Sequence, residues 1–254
     1  MKIGIFDSGV GGLTVLNTAM EMIPHAEYIY YADLDNVPYG TRDKDQVRKM
    51  THEAITFLHD MGVDAVVIAC NTATSTSVEF LRKSFDLPLI GMEPAVKPAI
   101  ENSDEGKVIV MATELTLKEK KFKNLVSRLE GDGIVVSLPM PELVHMAEDF
   151  NFNHEDAVKL FRNKLEKYNL EEFSAIVLGC THFVYFKNIL EKMVPENISV
   201  IDGNLGTISH LIKILKENDK YVESVGSVEY YVSGRKAVPE QFEKYLAYLK
   251  ENNI

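Results

Sequence analysis

With 254 residues, 46% of them apolar and 26% charged, the chain has enough length for one large or two modest globular domains. Its formal net charge of −11 argues against a nucleic-acid partner, which requires a basic face. No apolar run approaches the ~20 residues of a membrane span, Asp7 interrupts what would be a signal-peptide core, and two cysteines make no disulfide framework; the expected setting is a reducing cytoplasm.

Residues 2–6 read as a short strand leading into Asp7-Ser8-Gly9-Val10-Gly11-Gly12. Leu13, Leu16, Ala19, Met20 and Ile23 then give helical spacing, stopped by Pro24. A Gly-rich turn between strand and helix lets backbone N–H groups approach an anion. It is not a dinucleotide fingerprint, because Thr14 stands where Gly or Ala is needed. Residues 28–32 form a second strand. The irregular stretch 33–45 holds Pro38-Tyr39-Gly40-Thr41-Arg42, which reads equally as an active-site loop or a surface turn. Val47, Met50, Ala54, Phe57, Leu58 and Met61 make an amphipathic helix closed by Gly62. The apolar run Val66-Val67-Ile68-Ala69 then delivers Cys70-Asn71-Thr72, followed by a helix using Val78 and Leu81 and a strand over 87–90.

Pro94 and Pro98 mark a crossover, and 101–106 is polar and ends in glycine. The pattern restarts with a strand over 107–111 that ends in Ala112-Thr113-Glu114-Leu115-Thr116, then a helix using Phe122, Leu125, Val126 and Leu129, stopped by Gly131-Asp132-Gly133. A strand over 134–138 runs into Pro139-Met140-Pro141, and a polar helix spans about 154–168. The stretch Ala175-Ile176-Val177-Leu178-Gly179 then delivers Cys180-Thr181-His182, with apolar positions at Ile189, Leu190, Met193 and Val194 predicting a helix just after. Beyond a strand over 198–201 and a turn at Gly203-Asn204-Leu205-Gly206 come a helix (Ile208, Leu211, Ile212, Leu215), a strand over 228–232 and a helix entered at Pro239. This last part is expected to return and complete the first domain, giving boundaries of 1–95 plus 207–254 and 96–206.

Two strand-to-polar-turn junctions, at Asp7 and Thr113, are followed by cysteine junctions 63 and 67 residues later. That spacing suggests a duplicated α/β unit. The predicted fold class is α/β: two pseudo-symmetric domains with mainly parallel sheets and a site in the cleft between them. The cysteines lie 110 residues apart with no Cys-x-x-Cys pair, which disfavours a redox couple or a metal site. Two readings stay open: small apolar groups at strand ends, or two thiol acid/bases on opposite walls of a cleft. The second has a chemical meaning, since inverting a carbon centre needs a proton taken from one face and returned to the other. Asp7 and Ser8 could then serve Cys70, and His182 could serve Cys180.

The motifs Phe6-Asp7-Ser8-Gly9-Val10-Gly11-Gly12-Leu13-Thr14-Val15, Val37-Pro38-Tyr39-Gly40, Ala69-Cys70-Asn71-Thr72-Ala73 and Leu178-Gly179-Cys180-Thr181-His182-Phe183 together resemble the cofactor-independent glutamate racemases, in order and over essentially the whole chain. The resemblance implies interconversion of L- and D-glutamate, supplying D-glutamate for peptidoglycan, with no pyridoxal phosphate or other cofactor and no metal. It implies that Cys70 acts on the α-proton of the D-enantiomer and Cys180 on that of the L-enantiomer. It adds Asp7, Ser8, Tyr39, Gly40, Asn71, Thr72, Thr116, Thr181 and His182 as residues that bind substrate or assist, and Glu148 as a carboxylate near the second cysteine. The implied partner is a small-molecule substrate, with a homodimer left open. Val184-Tyr185-Phe186 departs from the usual Pro-Leu-Leu, and Asp202-Gly203-Asn204 from the usual Asp-Ser or Asp-Pro. A related two-cysteine racemase acting on aspartate, or a non-catalytic amino-acid-binding protein of the same fold, are the competing readings.

Overall fold

In the computed structural model, which describes residues 1–101 and 106–254, ten strands form two separate sheets. The first half runs β1 (Lys2–Asp7), α1 (Leu13–Met22), β2 (Glu27–Ala32), α2 (Lys44–Asp60), β3 (Ala65–Ile68), α3 (Asn71–Ser84), β4 (Leu89–Gly91) and α4 (Val96–Glu101). The second runs β5 (Lys107–Ala112), α5 (Glu114–Lys118), α6 (Lys120–Arg128), β6 (Val135–Pro139), α7 (Pro141–Glu148), α8 (His154–Leu165), β7 (Phe173–Leu178), α9 (Lys187–Glu191) and β8 (Ser199–Ile201). The chain closes with α10 (Asn204–Glu217), β9 (Ser227–Val232), β10 (Arg235–Lys236) and α11 (Glu240–Glu251).

The order β10-β9-β2-β1-β3-β4 in one sheet and β6-β5-β7-β8 in the other contains the same arrangement twice, β2-β1-β3-β4 matching β6-β5-β7-β8. All pairings are parallel except β9 with β10. Each central pair is covered on both faces, which explains the uninterrupted apolar runs of β3 and β7. The switch in strand order falls between β1 and β3 in one sheet and between β5 and β7 in the other. Loops leaving the carboxyl ends of such a pair diverge and open a crevice. The returning β9 pairs with β2, so the C-terminal stretch completes the first sheet.

A continuous apolar core joins the sheets, from Ile3, Ile5 and Leu16 in the first to Met111, Leu143 and Phe183 in the second. Several local expectations are corrected. The 94–98 crossover contains α4, with Pro98 in the opening turn where its missing N–H costs nothing. The 203–206 turn is instead the start of α10, where Asp202 accepts from the Asn204 N–H at 3.0 Å. Helix α7 lies where the sequence shows only Pro139-Met140-Pro141 after a strand; Pro141 opens it and Leu143, Val144 and Ala147 are its buried face. A 3-10 helix over Thr181–Phe186 intervenes between Cys180 and α9. Residues 102–105 of the polar 101–106 stretch lie outside the described residues. Among the described residues no helix is long and apolar enough to cross a membrane.

Candidate active site

Both cysteines lie just past the carboxyl ends of inner strands, and both are buried, Cys70 at 5% and Cys180 at 7% exposure. Their immediate settings differ. Cys70 caps α3, its Sγ accepting from the Ala73 N–H at 3.5 Å. Cys180 precedes the 3-10 helix, which turns His182 back so that Nδ1 stands 3.7 Å from the Cys180 Sγ.

One hydrogen-bonded chain runs from thiol to thiol across the two halves. Cys70 Sγ is 3.5 Å from Ser8 Oγ, and Ser8 donates to Asp7 Oδ1 at 3.5 Å. The other carboxylate oxygen, Oδ2, accepts from Thr181 Oγ1 at 3.0 Å. Thr181 Oγ1 lies 3.5 Å from His182 Nδ1, which faces Cys180. Asp7, fully buried, is therefore the link between the halves, and the Gly9 N–H adds a further bond to Oδ1 at 2.9 Å. Burial raises its carboxyl to about 6, against the opposing effects of His182, the Gly9 N–H and Thr181. Burial likewise pushes the Cys70 thiol up to about 12, and the Asp7 charge adds to that. Burial alone would lower the His182 imidazole, but its bonds to Cys180 and Glu148 hold it well above the ordinary histidine value. Glu148, at the end of α7, reaches His182 Nε2 with Oε1 at 2.5 Å, and the same oxygen accepts from the Val10 N–H at 2.9 Å. A carboxylate on Nε2 fixes an N–H there, which leaves Nδ1 to serve Cys180.

The glycines of the first loop are required by this close approach. A Cβ on Gly9 would lie 1.8 Å from Glu148 Oε1, and one on Gly11 would lie 2.3 Å from Thr181 Oγ1. Only glycine lets the two walls meet here.

Thr72, Thr113 and Thr116 meet in a second buried cluster, with Gly40 packed against it. Thr72 Oγ1 is 2.9 Å from Thr113 Oγ1 and 3.3 Å from Thr116 Oγ1, and Thr113 donates to Thr116 at 2.9 Å. Gly40 lies against Thr113, where its Cβ would come within 2.6 Å of the Thr113 Cβ. A cavity of about 230 Å³ opens beside them, lined by Gly40, Thr41, Thr113, Glu114 and His145. Tyr39 is oriented by its hydroxyl, which donates to Asp33 Oδ2 at 2.6 Å; burial, then Asp33, raises that phenol. The side-chain amide of Asn71 donates to the Met92 carbonyl at 3.2 Å, while its buried Oδ1 has no protein partner.

Asp7, Ser8, Cys70, Glu148, Cys180, Thr181 and His182 are thus linked in one polar network and Thr72 and Thr116 in a second, with Gly40 against the latter, whereas Asn71 bonds to Met92 and Tyr39 to Asp33. Asp7 does not touch Cys70 directly but acts through Ser8. Thr113 and the Val10 N–H were not singled out as site groups; Thr113 occupies in the second unit the place that Asp7 has in the first, and the repeat alone could have flagged it. No group of three or more His, Cys, Asp or Glu side chains among the described residues could hold a metal ion.

Two buried thiols joined through a polar network with carboxylates in it, at the carboxyl ends of two parallel sheets, suit an α/β isomerase, since such groups can take and return protons. The profile of the Asp/Glu/Hydantoin racemase family matches residues 14–211. The chain is 49% identical over 253 residues to the glutamate racemase of Halothermothrix orenii, covering 99% of this chain and 100% of that one. It belongs to the Asp/Glu/Hydantoin racemase family. Among solved structures, it is similar to the Escherichia coli glutamate racemase in complex with L-glutamate and the activator UDP-MurNAc-ala, at a TM-score of 0.85 and 27% identity over 97% of this chain and 94% of that one. It is also similar to the Francisella tularensis glutamate racemase in complex with D-glutamate, with a TM-score of 0.81 and 26% identity, covering 98% and 93%.

Proposed function

We propose that this chain is a glutamate racemase, interconverting L- and D-glutamate by a two-thiol, cofactor-independent route and so supplying D-glutamate for peptidoglycan in the cytoplasm. The observation that carries the reading is the hydrogen-bonded chain joining Cys70 to Cys180 through Ser8, Asp7, Thr181 and His182. The substrate is taken from relatives at up to 49% identity that carry this name and from neighbours that hold L- and D-glutamate.

On this reading glutamate lies between the thiols, one lobe being 1–95 plus 207–254 and the other 96–206. With the L-enantiomer, the Cys180 thiolate takes the α-proton; the C–H bond breaks and its electron pair passes into the α-carboxylate system. The Cys70 thiol then gives its proton to the opposite face, forming the new C–H bond and becoming the thiolate. The D-enantiomer runs the same steps backward. His182, held by Glu148, supports the Cys180 thiolate, and Asp7 accepts through Ser8 on the Cys70 side. Asn71, Thr72, Thr116, Thr181, Ser8, Tyr39 and Gly40 hold the two carboxylates and the ammonium; donors of this kind suit a dicarboxylate inside a chain of charge −11. The test is to incubate purified, cofactor-free protein with L-glutamate and with L-aspartate and follow circular dichroism of the amino acid. Decay of the glutamate signal to zero, with aspartate unchanged, is the expected result; a constant glutamate signal overturns the proposal.

A further inference from the structure

Three tyrosine hydroxyls from distant parts of the chain end on the backbone around Glu148. Tyr30 donates to the Gly9 carbonyl at 2.7 Å, Tyr185 to the Val10 carbonyl at 2.8 Å, and Tyr245 to the carbonyl of Glu148 itself at 2.9 Å. The Gly9–Val10 peptide is thus held by Tyr30 at its C=O while its N–H is given to Glu148 Oε1 at 2.9 Å. Tyr185 grips the next carbonyl along. All three rings are at least 97% buried, and a buried phenol needs a partner for its hydroxyl.

We propose that Tyr185, backed by Tyr245, is a positioning residue for the Cys180 half of the reaction: it fixes the Val10 backbone, whose N–H holds Glu148 against His182. This rests on the racemase reading above. An apolar side chain at the place of Tyr185 would have no donor to offer Val10. The ring is itself held in place. Phe152 stacks on it with centroids 4.9 Å apart, the Tyr245 ring is 5.9 Å away, and Tyr248 donates to the Tyr185 carbonyl at 3.4 Å. Helix α11, which carries Tyr245 and Tyr248, is thereby tied to the turn that carries His182. The charged or titratable groups facing His182 are Glu148, Asp7 and Cys180, with Lys244 over the Tyr245 ring at 5.0 Å on the outer side.

The physical consequence is specific. Without the Tyr185 hydroxyl the Val10 segment loosens and Glu148, 17% exposed, can turn toward water. His182 then loses the carboxylate bonded to its Nε2, and its Nδ1 is no longer held 3.7 Å from the Cys180 sulfur. Cys70, supported by Ser8 and Asp7, is untouched.

The experiment is site-resolved alkylation of the substrate-free enzyme with iodoacetamide at pH 7, the Cys70 and Cys180 peptides being quantified by mass spectrometry, alongside kcat and KM for glutamate. In Tyr185→Phe, which keeps the ring, alkylation of Cys180 slows about fivefold, the size of one ordinary hydrogen bond, while Cys70 keeps its wild-type rate. The kcat falls more than KM changes. Tyr245→Phe moves Cys180 in the same direction and decides the matter should Tyr185→Phe fail to fold. Wild-type rates at both cysteines, or an equal slowing of both, overturn the proposal. A wild-type enzyme that alkylates normally but does not racemise glutamate would sink the functional reading instead, and the alkylation ratio would still decide the role of Tyr185.

Discussion

Asp7→Asn separates what the site costs in stability from what it does in catalysis. The carboxyl is fully buried and raised from an ordinary 3.8 to about 6 by that burial. A group whose folded value is raised favours the folded state while protonated, and that contribution is lost as pH rises through about 6. At 1.36 kcal/mol per pH unit, ionised Asp7 costs the wild-type fold about 3 kcal/mol at pH 8, but only about 1 kcal/mol at pH 4.5. Asparagine fits the same place: its oxygen accepts from the Gly9 N–H, and its amide donates to Thr181 Oγ1. The variant is therefore expected to be more stable than wild type at pH 8, by about 6–12 °C in Tm for a chain of this size, with the gain shrinking to a third at pH 4.5. Racemisation falls by about 10²-fold or more, as for loss of a general acid/base. Thermal and urea melts at both pH values, with activity measured alongside, provide the assay. A variant that melts with wild type at pH 8, or one with the same advantage at both pH values, would refute the reasoning.

Cys70→Ser and Cys180→Ser each nearly abolish racemisation, because a hydroxyl is a far weaker base than a thiolate; in deuterated water, α-proton exchange followed by NMR survives only from L-glutamate in the first and only from D-glutamate in the second. Asn71→Ala and Thr72→Ala weaken substrate binding by about 1.5–3 kcal/mol each, read as a rise in KM; unchanged kinetics would remove them from the site. Gly11→Ala forces a methyl within 2.7 Å of the His182 backbone nitrogen and lowers both Tm and kcat, whereas Gly206→Ala, in a helix with nothing within 4 Å, leaves activity intact and is neutral or stabilising. The kcat/KM values of the two enantiomers stay equal, because the equilibrium constant is one, but D-glutamate shows the larger kcat and the larger KM; the reverse order in steady-state assays would contradict the supports assigned to the two thiols.

The strand ends were legible because parallel strands covered on both faces must be apolar on both parities, so each polar residue after such a run marks a sheet edge. Two runs ending in cysteine, at matching distance from two polar turns, revealed the duplication that the strand order then displays. What the pattern hid was the short or late-starting helix. Helix α7 has eight residues, too few for a periodic signal, and it carries Glu148, which only the family resemblance had picked out. Contacts across the cleft were equally hidden. The bond from Thr181 to Asp7 spans 174 residues, and nothing local to either announces it. The glycines at 9 and 11 looked like turn residues, and their reason, the approach of Glu148 and Thr181, exists only in the folded chain.

Duplication explains why each unit places a thiol just past the end of an inner strand, but it does not make the two alike. Cys70 sits at a helix N-terminus with a hydroxyl neighbour, and burial together with the adjacent Asp7 charge keeps its proton on. Cys180 has lost the helix start to a 3-10 turn and gained an imidazole backed by a carboxylate. An imidazolium on Nδ1 favours a thiolate beside it. In the proposed route the form that keeps its proton on Cys70 is the one that receives L-glutamate. In that route D-glutamate needs Cys70 as the thiolate, which burial and the Asp7 charge disfavour, and an enantiomer that needs a less populated form binds more weakly in proportion. Because both directions share their transition states, what D-glutamate loses in binding it regains in turnover. The asymmetry of supports thus leaves catalytic efficiency equal in the two directions, and Asp7, bonded to the Gly9 N–H on one side and to Thr181 on the other, is placed to relay charge between them.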